Sequence, residues 1–460
     1  MIDVEVIETS SLGDRSYLAT DGAVAVVIDP QRDVDRVLAL AGRLGVRITH
    51  VAETHVHNDY VSGGLELARL TGAAYFTCAA DELEFDRTGV TDGDVVAVSP
   101  RLGLRVLGTP GHTFHHLSYV LEGPDGPVGV FTGGSLLYGT TGRTDLLGDE
   151  HAEPLARAQH ASAHAMADLL PDGTQVWPTH GFGSFCSASP ASGDDSTLGQ
   201  ERKVNPVLRL ARDEFVRETL SGLGAYPAYY AHMGALNTAG PAPVDLRAPA
   251  LADPVKLARR AAAGEWVVDL RSRKAYLDSH LGGTISLGLD GPMATWLGWM
   301  APYGAPITLL GEDPAQVAAA QRELVRIGID RVAAAATGTP RELAADPAQL
   351  TSLPSAGFTA LAGELTGRRD VDLPPAQVVL DVRLDTEWNT SHLTDAVHIA
   401  LPELPGRVED VPPGAVWVHC GSGYRATAAA SLLARAGRTV VVVDDDFGNA
   451  ADAGIPMTTP

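Results

Sequence analysis

Residues 53–60 read Glu53-Thr54-His55-Val56-His57-Asn58-Asp59-Tyr60 and come at the end of a predicted strand that starts at Ile48. Two histidines two positions apart at a strand end can both reach one metal ion when the chain bends. A downstream carboxylate such as Asp59 can support a histidine or bind a second ion. Ligand sites in α/β folds lie at such strand ends. The segment therefore predicts an α/β domain with a metal site that uses His55 and His57.

Two further histidines follow a similar pattern of strand and turn. His112 lies in the turn Gly108-Thr109-Pro110-Gly111-His112-Thr113, and His180 follows an apolar strand that contains Trp177. Imidazole nitrogens suit both zinc and iron. We therefore predict His55, His57 and His112 as metal ligands, with Asp59 and His180 as candidates for supporting partners or for a second metal site.

A second chemical pattern lies near the end of the sequence, where the apolar strand at 415–418 leads into a glycine-rich loop. The loop reads Cys420-Gly421-Ser422-Gly423-Tyr424-Arg425-Ala426, and a helix is predicted over 427–436. Glycines let backbone N–H groups point to one place, the helix N-terminus adds partial positive charge, and Arg425 adds a full charge. Because these surroundings stabilise a thiolate, we predict Cys420 and Arg425 as catalytic residues and the loop as a persulfide cradle. The alternative is that Cys420 is a buried structural cysteine.

The second half of the chain contains an internal repeat. The segment Val267-Val268-Asp269-Leu270-Arg271 recurs as Val379-Leu380-Asp381-Val382-Arg383, and Ser279-His280-Leu281 recurs at the same spacing as Ser391-His392-Leu393. Each copy continues with an apolar strand, a loop and an alanine-rich helix, which predicts two α/β domains with parallel sheets. In the first copy the strand leads into Gly311-Glu312-Asp313-Pro314. This loop has no cysteine, so we predict that the first copy carries no sulfur.

Length and charge narrow the class of protein. At about 150 residues per domain, a chain of 460 residues predicts about three domains. Proline- and glycine-rich stretches near 240–243 and 337–367, and a polar loop at 187–196, suggest domains over 1–240, 252–345 and 364–460. The net charge of −23 argues against binding to nucleic acids or anionic membranes.

The cysteines and the start of the sequence suggest a compartment. Three cysteines, Cys78, Cys186 and Cys420, are too few for a disulfide framework, so a reducing compartment is expected. The first residues lack the basic and apolar regions of a signal peptide, and no run of 18 apolar residues occurs. We therefore expect a soluble, cytoplasmic protein.

The motifs resemble those of two families. The histidine segments, together with 131–136, 142–146 and 197–206, are similar to the branch of the metallo-β-lactamase superfamily that contains persulfide dioxygenases and glyoxalase II. The loop at 420–426, and the residues that precede it, resemble the rhodanese family; these residues are Asp381, Arg383, Glu387, Trp388, His392 and His398. The domain order is similar to persulfide dioxygenase–rhodanese fusions. The implied fold class is α/β, with an N-terminal metallo-β-lactamase αββα sandwich followed by two rhodanese-like domains with parallel sheets.

The resemblance also implies an activity. In such fusions one Fe(II) per chain, held by two histidines and an aspartate, uses dioxygen to oxidise a low-molecular-weight thiol persulfide such as glutathione persulfide to sulfite. A rhodanese Cys420 persulfide would then pass sulfane sulfur to sulfite to form thiosulfate, or accept it from thiosulfate. Tyr138 and Arg143 are candidates for binding a carboxylate of the thiol. A homo-oligomer is expected.

This sequence departs from the family pattern at two positions. His55 and His112 match the histidine ligands, but Gly134 stands at the aspartate position and Tyr60 replaces the usual second-site histidine. We expect Gly134 to leave an open coordination position, so that an aspartate restored there would strengthen metal retention. One alternative is therefore a sulfurtransferase whose N-terminal domain has lost its metal chemistry. A second is a zinc-dependent thioester hydrolase of the glyoxalase II type, which the missing bridging carboxylate disfavours.

Overall fold

The computed structural model describes residues 2–191, 193–368 and 372–459. Ser192 of the predicted polar loop, and residues 1, 369–371 and 460 of the predicted terminal domains, lie outside the described residues. The chain forms two compact units: Met1–Val244 with Val325–Gly328, and Asp245–Leu324 with Ile329–Pro460. Both copies of the internal repeat belong to the second unit.

Two sheets form the centre of the first unit. Over the described residues, one sheet has the order β1-β2-β3-β4-β5-β6 and is antiparallel only among its first three strands. The other has the order β11-β10-β9-β8-β7, with β10 and β11 parallel. The strands are β1 (Asp3–Thr9), β2 (Asp14–Thr20), β3 (Val24–Ile28), β4 (Arg47–Ala52), β5 (Ala74–Cys78), β6 (Thr88–Val90), β7 (Val95–Ser99), β8 (Leu102–Gly108), β9 (Leu117–Gly123), β10 (Gly126–Gly133) and β11 (Gln175–Pro178).

Helices cover the outer faces of both sheets. Side chains alternate along a strand, so Val26 and Ile28 of β3 join the core between the sheets, while Ala25 and Val27 face the helix side. This layer order confirms the predicted αββα sandwich. The helices of this unit are α1 (Asp35–Leu44), α2 (Gly64–Thr71), α3 (Asp149–Leu169), α4 (Leu198–Val204), α5 (Pro206–Arg209), α6 (Arg212–Gly222) and α7 (Tyr230–Ala239).

The second unit contains two parallel sheets, one for each copy of the repeat. The first has the order β14-β12-β15-β16 and the second β18-β23-β22-β19-β21. The strands are β12 (Trp266–Asp269), β13 (His280–Leu281), β14 (Ile285–Ser286), β15 (Ile307–Gly311), β16 (Ala334–Thr337), β17 (Leu350–Thr351), β18 (Ser355–Ala356), β19 (Val378–Asp381), β20 (His392–Leu393), β21 (Val397–His398), β22 (Val416–His419), β23 (Val440–Val443) and β24 (Met457–Thr458). The predicted parallel α/β architecture is confirmed.

The helices of the second unit follow the strands in both copies. They are α8 (Pro254–Ala262), α9 (Arg273–Asp278), α10 (Met293–Met300), α11 (Pro314–Arg326), α12 (Pro340–Leu343), α13 (Phe358–Leu365), α14 (Asp385–Trp388), α15 (Leu404–Arg407), α16 (Tyr424–Arg435) and α17 (Asn449–Asp452), with short 3₁₀ turns at Pro347–Gln349 and Val408–Asp410. The helix predicted from residue 427 begins three residues earlier, because Gly423 adopts a positive φ of 94° and caps it. None of the helices in the described ranges is long and apolar enough to span a membrane.

Candidate active sites

A cluster of buried histidines lies where strands and turns of the first unit meet. One ring nitrogen from each of His55, His112 and His180 lies within 4.8 Å of the others. The Nε2 atoms of His55 and His180 are 3.4 Å apart. These three side chains therefore present nitrogen donors to one point, which is what a divalent metal ion requires.

The second ring nitrogen of each of these histidines is held by the protein. His55 Nδ1 lies 2.9 Å from the Thr54 hydroxyl. His112 Nδ1 donates to the carbonyl oxygen of Arg143 at 2.7 Å, and His112 Nε2 is buried without a hydrogen-bond partner among the described residues. His180 Nδ1 lies 3.0 Å from carboxylate oxygens of both Asp14 and Asp59. Metal-binding histidines are commonly oriented in this way, through the nitrogen that does not bind the ion. The cluster thus fits a single ion held by three imidazoles.

The charges around the cluster give its three histidines different protonation states. Burial and neighbouring histidines lower the pKa of His55 and lower that of His112 to about 3, so both rings are neutral, as ligands must be. Burial also opposes protonation of His180, but Asp59 and Asp14 outweigh it and raise its pKa to about 10. Without a metal ion, His180 is therefore the cationic member of the cluster.

His57, predicted as a ligand with His55 and His112, has different partners. Its Nε2 lies 3.1 Å from Glu53 Oε2, 3.3 Å from Asp29 Oδ1 and 3.0 Å from the Tyr60 hydroxyl. Despite its burial, Asp29 and Glu53 raise its pKa to about 9. The structure groups His57 with these carboxylates or with Asp59 and His180, and brings His180 to His55 and His112 instead. His57 and His180 were both candidates in the sequence analysis, but local spacing does not show which of them faces His55 and His112.

Gly134 and Tyr60, the two residues that depart from the family pattern, both lie against histidine rings. A Cβ atom on Gly134 would lie 2.3 Å from Cδ2 of His112, so the His112 ring occupies the space on that side of the glycine. The open coordination position expected at Gly134 stays a prediction. Gly134 also donates its backbone N–H to His116 Nε2 at 3.0 Å. Tyr60 is buried, and its ring stacks on His57 with centroids 4.3 Å apart.

Tyr138 and Arg143, the predicted substrate-binding residues, have structural partners. The Tyr138 hydroxyl donates to the Val176 carbonyl oxygen at 2.8 Å. Arg143 forms two hydrogen bonds of 2.7 Å with Asp145 and donates to the Gly224 carbonyl oxygen at 2.6 Å. Both side chains are buried, and their role toward a substrate stays a prediction.

A narrow, largely apolar cavity of about 20 Å³ lies beside the cluster, next to α2 and β5. Its lining includes His55, His57, Glu53, Leu65, Tyr75 and Cys78. The sequence did not single out Leu65, Tyr75 or Cys78, because nothing in their local pattern distinguishes a pocket wall from a core position. A cavity of this size has room for about one water molecule beside the histidines.

The cysteine loop lies at the end of the central strand β22. Cys420 is 2% exposed, and its Sγ accepts the backbone N–H of Gly423 at 3.2 Å. A Cβ atom on Gly423 would lie 2.0 Å from Asp444 Oδ1, and its φ of 94° disfavours other residues, so this position requires glycine. Phe447 donates its N–H to the Gly421 carbonyl oxygen at 2.9 Å and closes the loop.

The remaining residues of the loop have distinct environments. Ser422 is exposed, Ala426 is buried, and the Tyr424 hydroxyl donates to the Gly288 carbonyl oxygen at 2.8 Å. Arg425 donates to both oxygens of Glu387, at 2.5 Å and 2.7 Å. Burial works against its charge, but Glu387 and Cys420 raise the pKa of Arg425. The prediction that Arg425 offers its full charge to the sulfur therefore needs correction, because Glu387 binds both of its Nη groups.

The residues of the internal repeat hold equivalent contacts in both copies. Arg383 pairs with Asp381 at 2.6 Å and donates to the Ser391 carbonyl oxygen at 2.8 Å. In the first copy Arg271 pairs with Asp269 at 2.7 Å and donates to the Ser279 carbonyl oxygen at 2.8 Å. The repeat motif therefore fixes the turn after β12 and the turn after β19 rather than the cysteine chemistry.

Two side chains of the first copy lie beside the cysteine loop. Arg273 Nε donates to Asp444 Oδ1 at 2.7 Å. The Arg425 guanidinium lies 5.5 Å from the centre of the Trp296 ring. Sequence reasoning did not single out either residue. The sequence does distinguish Arg273. It lies two positions after the repeated Arg271, and the second copy has Asp385 at the equivalent position.

Two protein families match separate parts of the chain. The metallo-beta-lactamase superfamily matches residues 14–180, and the rhodanese-like domain family matches residues 364–451. The first range contains the histidine cluster and the second contains the cysteine loop.

Individual proteins are similar to parts of the chain. The human mitochondrial persulfide dioxygenase ETHE1 is 30% identical over 244 residues, which is 53% of this chain and 82% of that protein. A hydroxyacylglutathione hydrolase of Nitrosococcus oceani is 30% identical over 230 residues, which is 44% of this chain and 84% of that protein. The crystal structure of a metallo-beta-lactamase from Staphylococcus aureus is 30% identical, with a TM-score of 0.65, over 73% of this chain and 99% of that one.

Proposed function

We propose that this chain, which belongs to the metallo-β-lactamase superfamily and carries a C-terminal rhodanese-like domain, is an enzyme of sulfur metabolism that carries sulfane sulfur on Cys420. One observation supports this most strongly: Cys420 Sγ accepts the N–H of Gly423 at the N-terminus of α16. An anionic sulfur is stabilised at such a position by the backbone N–H and by the helix dipole.

The transfer is an exchange of sulfur between nucleophiles. The Cys420 thiolate attacks the outer sulfur of thiosulfate, the S–S bond of thiosulfate breaks, and sulfite leaves with the electron pair. The product is a Cys420 persulfide. An acceptor thiolate or sulfite then attacks the terminal sulfur, and the Cys420 thiolate leaves. The steps need no oxidant and run in either direction.

The loop residues have separate roles in this reaction. Gly423 places its N–H on the sulfur. Arg425, anchored on Glu387, keeps the first turn of α16 in place and contributes positive charge beside the loop. Burial of Cys420 limits access to small donors and acceptors. Arg425 would therefore both position the loop and stabilise negative charge on the Cys420 sulfur.

The test is to load the purified full-length protein with thiosulfate and analyse its peptides by mass spectrometry. We expect one added sulfur on the peptide that contains Cys420, and loss of this addition and of sulfurtransferase turnover in Cys420→Ser. Cys186→Ser is the control, because Cys186 is fully buried in the first unit. Sulfur found on Cys78 or Cys186, with Cys420 unmodified, would reject the proposal.

A second activity, oxidation of a thiol persulfide to sulfite, has support from the histidine cluster. His55, His112 and His180 would hold one metal ion, and His112 Nε2 is buried without a hydrogen-bond partner among the described residues. A redox-active ion such as Fe(II) would supply the electron transfer that oxidation by dioxygen needs. Asp14 and Asp59 orient His180 through its Nδ1 atom. Sulfite from this reaction would be a sulfur acceptor for Cys420.

This second activity is tested by anaerobic reconstitution with Fe(II). We expect about one iron per chain and oxygen uptake with glutathione persulfide. If neither iron binding nor oxygen uptake is observed, the proposed function is reduced to the sulfurtransferase activity of Cys420. Thioester hydrolysis at two zinc ions has less support, because Gly134 offers no bridging carboxylate and the His112 ring fills the space beside it.

A further inference from the structure

Arg273 belongs to the copy of the repeat that lacks a cysteine, yet it lies at the cysteine loop of the other copy. Its Nε donates to Asp444 Oδ1 at 2.7 Å, and its side chain is 29% exposed. Among the described residues its two Nη groups make no hydrogen bond. Arg273 therefore has an anchored guanidinium with a free edge of N–H donors.

The other arginines around the loop have no such free edge. Arg425 uses both Nη groups on Glu387. Arg383 uses Nε and Nη2 on Asp381 and donates Nη2 to the Ser391 carbonyl oxygen as well. Thiosulfate and sulfite are dianions when fully ionised, and their oxygens need N–H donors when they leave water. Of the three arginines, Arg273 is the one with both Nη groups available.

Arg273 is also close to the reacting sulfur. A Cβ atom on Gly423 would lie 3.1 Å from Arg273 Nε, and the N–H of this same glycine binds Cys420 Sγ at 3.2 Å. The hydrogen bond that Arg273 donates to Asp444 has the largest influence on the pKa of Arg273, and the charges of Asp290 and Cys420 add to it, so this pKa is raised. The guanidinium thus stays charged next to the loop.

We infer that Arg273 binds the sulfonate oxygens of thiosulfate, or of sulfite, while the sulfur is transferred to or from Cys420. This inference rests on the proposed sulfurtransferase function and names its anionic substrate class. A planar guanidinium presents parallel N–H donors that match two oxygens of an oxyanion. The cysteine-free copy of the repeat then has a role: it supplies the side chain that recognises the sulfonate.

The experiment compares two sulfur donors in the full-length protein. Thiosulfate has a sulfonate group, and glutathione persulfide does not. For Arg273→Gln we expect the KM for thiosulfate to rise on the order of tenfold or more, since a hydrogen bond to a charged group contributes about 1.5–3 kcal/mol. The KM for glutathione persulfide and the kcat with either donor should stay within about twofold. Arg273→Lys, which keeps the charge without the planar fork, should fall between wild type and Arg273→Gln.

Lys274→Gln is the matched control, because Lys274 is exposed on the same helix and its removal changes the net charge equally. We expect wild-type kinetics with both donors. An unchanged KM for thiosulfate in Arg273→Gln, or an equal rise for both donors, would overturn the inference while leaving Cys420 transfer intact. Absence of any Cys420 persulfide in the wild type would instead reject the proposed function. If Arg273→Gln does not fold, the donor comparison is made on Arg273→Lys with the same criteria.

Discussion

Arg425 binds both carboxylate oxygens of Glu387, although 38 positions separate the two residues in the sequence. The guanidinium side chain is 15% exposed and the carboxylate 36%. This partly buried pair connects the first turn of α16, which follows Cys420, to α14 of the same copy. The cysteine loop is therefore held by a charged contact on its far side as well as by its own glycines.

Removal of this pair should lower stability in a pH-dependent way. Burial opposes ionisation of Glu387, but Arg425 outweighs it and lowers the pKa of Glu387. A carboxyl whose pKa is lowered on folding stabilises the protein above its unfolded pKa of about 4.3 and loses this contribution as pH falls through the folded value. Glu387→Gln should therefore cost about 1 kcal/mol at pH 7, after allowance for solvent screening, and less below pH about 4.

Urea denaturation at several pH values measures this difference. Glu409→Gln is the control, because Glu409 is exposed and has no ion pair among the described residues. It should leave the unfolding midpoint nearly unchanged at every pH. A loss for Glu387→Gln that is equally large at pH 7 and pH 4 would contradict the ionic origin of the contact.

A second prediction concerns two glycines at opposite ends of α16. Gly423 and Gly437 both have positive φ, at 94° and 79°, but a Cβ atom meets Asp444 only at Gly423. Gly437→Ala should cost roughly 1–2 kcal/mol for the left-handed backbone alone and should keep sulfur loading. Gly423→Ala should cost roughly 2–5 kcal/mol, because overpacking adds to the backbone strain, and should abolish loading. Thermal unfolding and mass spectrometry of the persulfide measure both effects, and equal behaviour of the two variants would refute this explanation.

The fold could be predicted from the sequence where local pattern decides it. The strand at Val24–Ile28 follows from a continuous apolar run, and the helix that ends before Gly45 follows from helical periodicity and from a glycine in the left-handed region. The predicted start of α16, at residue 427, was three residues too late. The sequence signal that this prediction missed is Gly423, a glycine at the N-cap position directly before Tyr424.

The sites were less predictable, because their partners are distant in sequence. The spacing of His55 and His57 favours a shared metal ion, but Glu53 and Asp29 hold His57 Nε2. His180 reaches His55 from 125 positions away. The glycine at 134 gave no sign that the His112 ring fills its side. Such contacts depend on how sheets and turns come together, which a single sequence does not encode in any local motif.

Gly134 provides a third prediction. Because a Cβ atom would lie 2.3 Å from the His112 ring, Gly134→Ala should cost roughly 1–3 kcal/mol, and an aspartate there should weaken metal retention rather than strengthen it. Gly42→Ala is the control, since nothing lies within 4 Å of its Cβ position in α1. This change should be neutral or stabilise the helix by up to about 1 kcal/mol. Higher metal content in Gly134→Asp would show that the His112 ring moves aside.

The last prediction separates the two ligand sets at the histidine cluster. If His55, His112 and His180 hold the ion, alanine at any of them should remove most bound metal, while His57→Ala should retain more, because His57 Nε2 already binds Glu53. Asp59→Asn, which weakens the support of His180 Nδ1, should reduce metal affinity about 10–100-fold. His151→Ala, on an exposed turn of α3, should bind as the wild type does. Titration of each apo-protein with Fe(II) under anaerobic conditions, and separately with Zn(II), gives the affinities. If His180→Ala retains metal and His57→Ala loses it, the ligand set predicted from the sequence, which includes His57, is supported instead. His57 would then turn away from Glu53 when the ion binds.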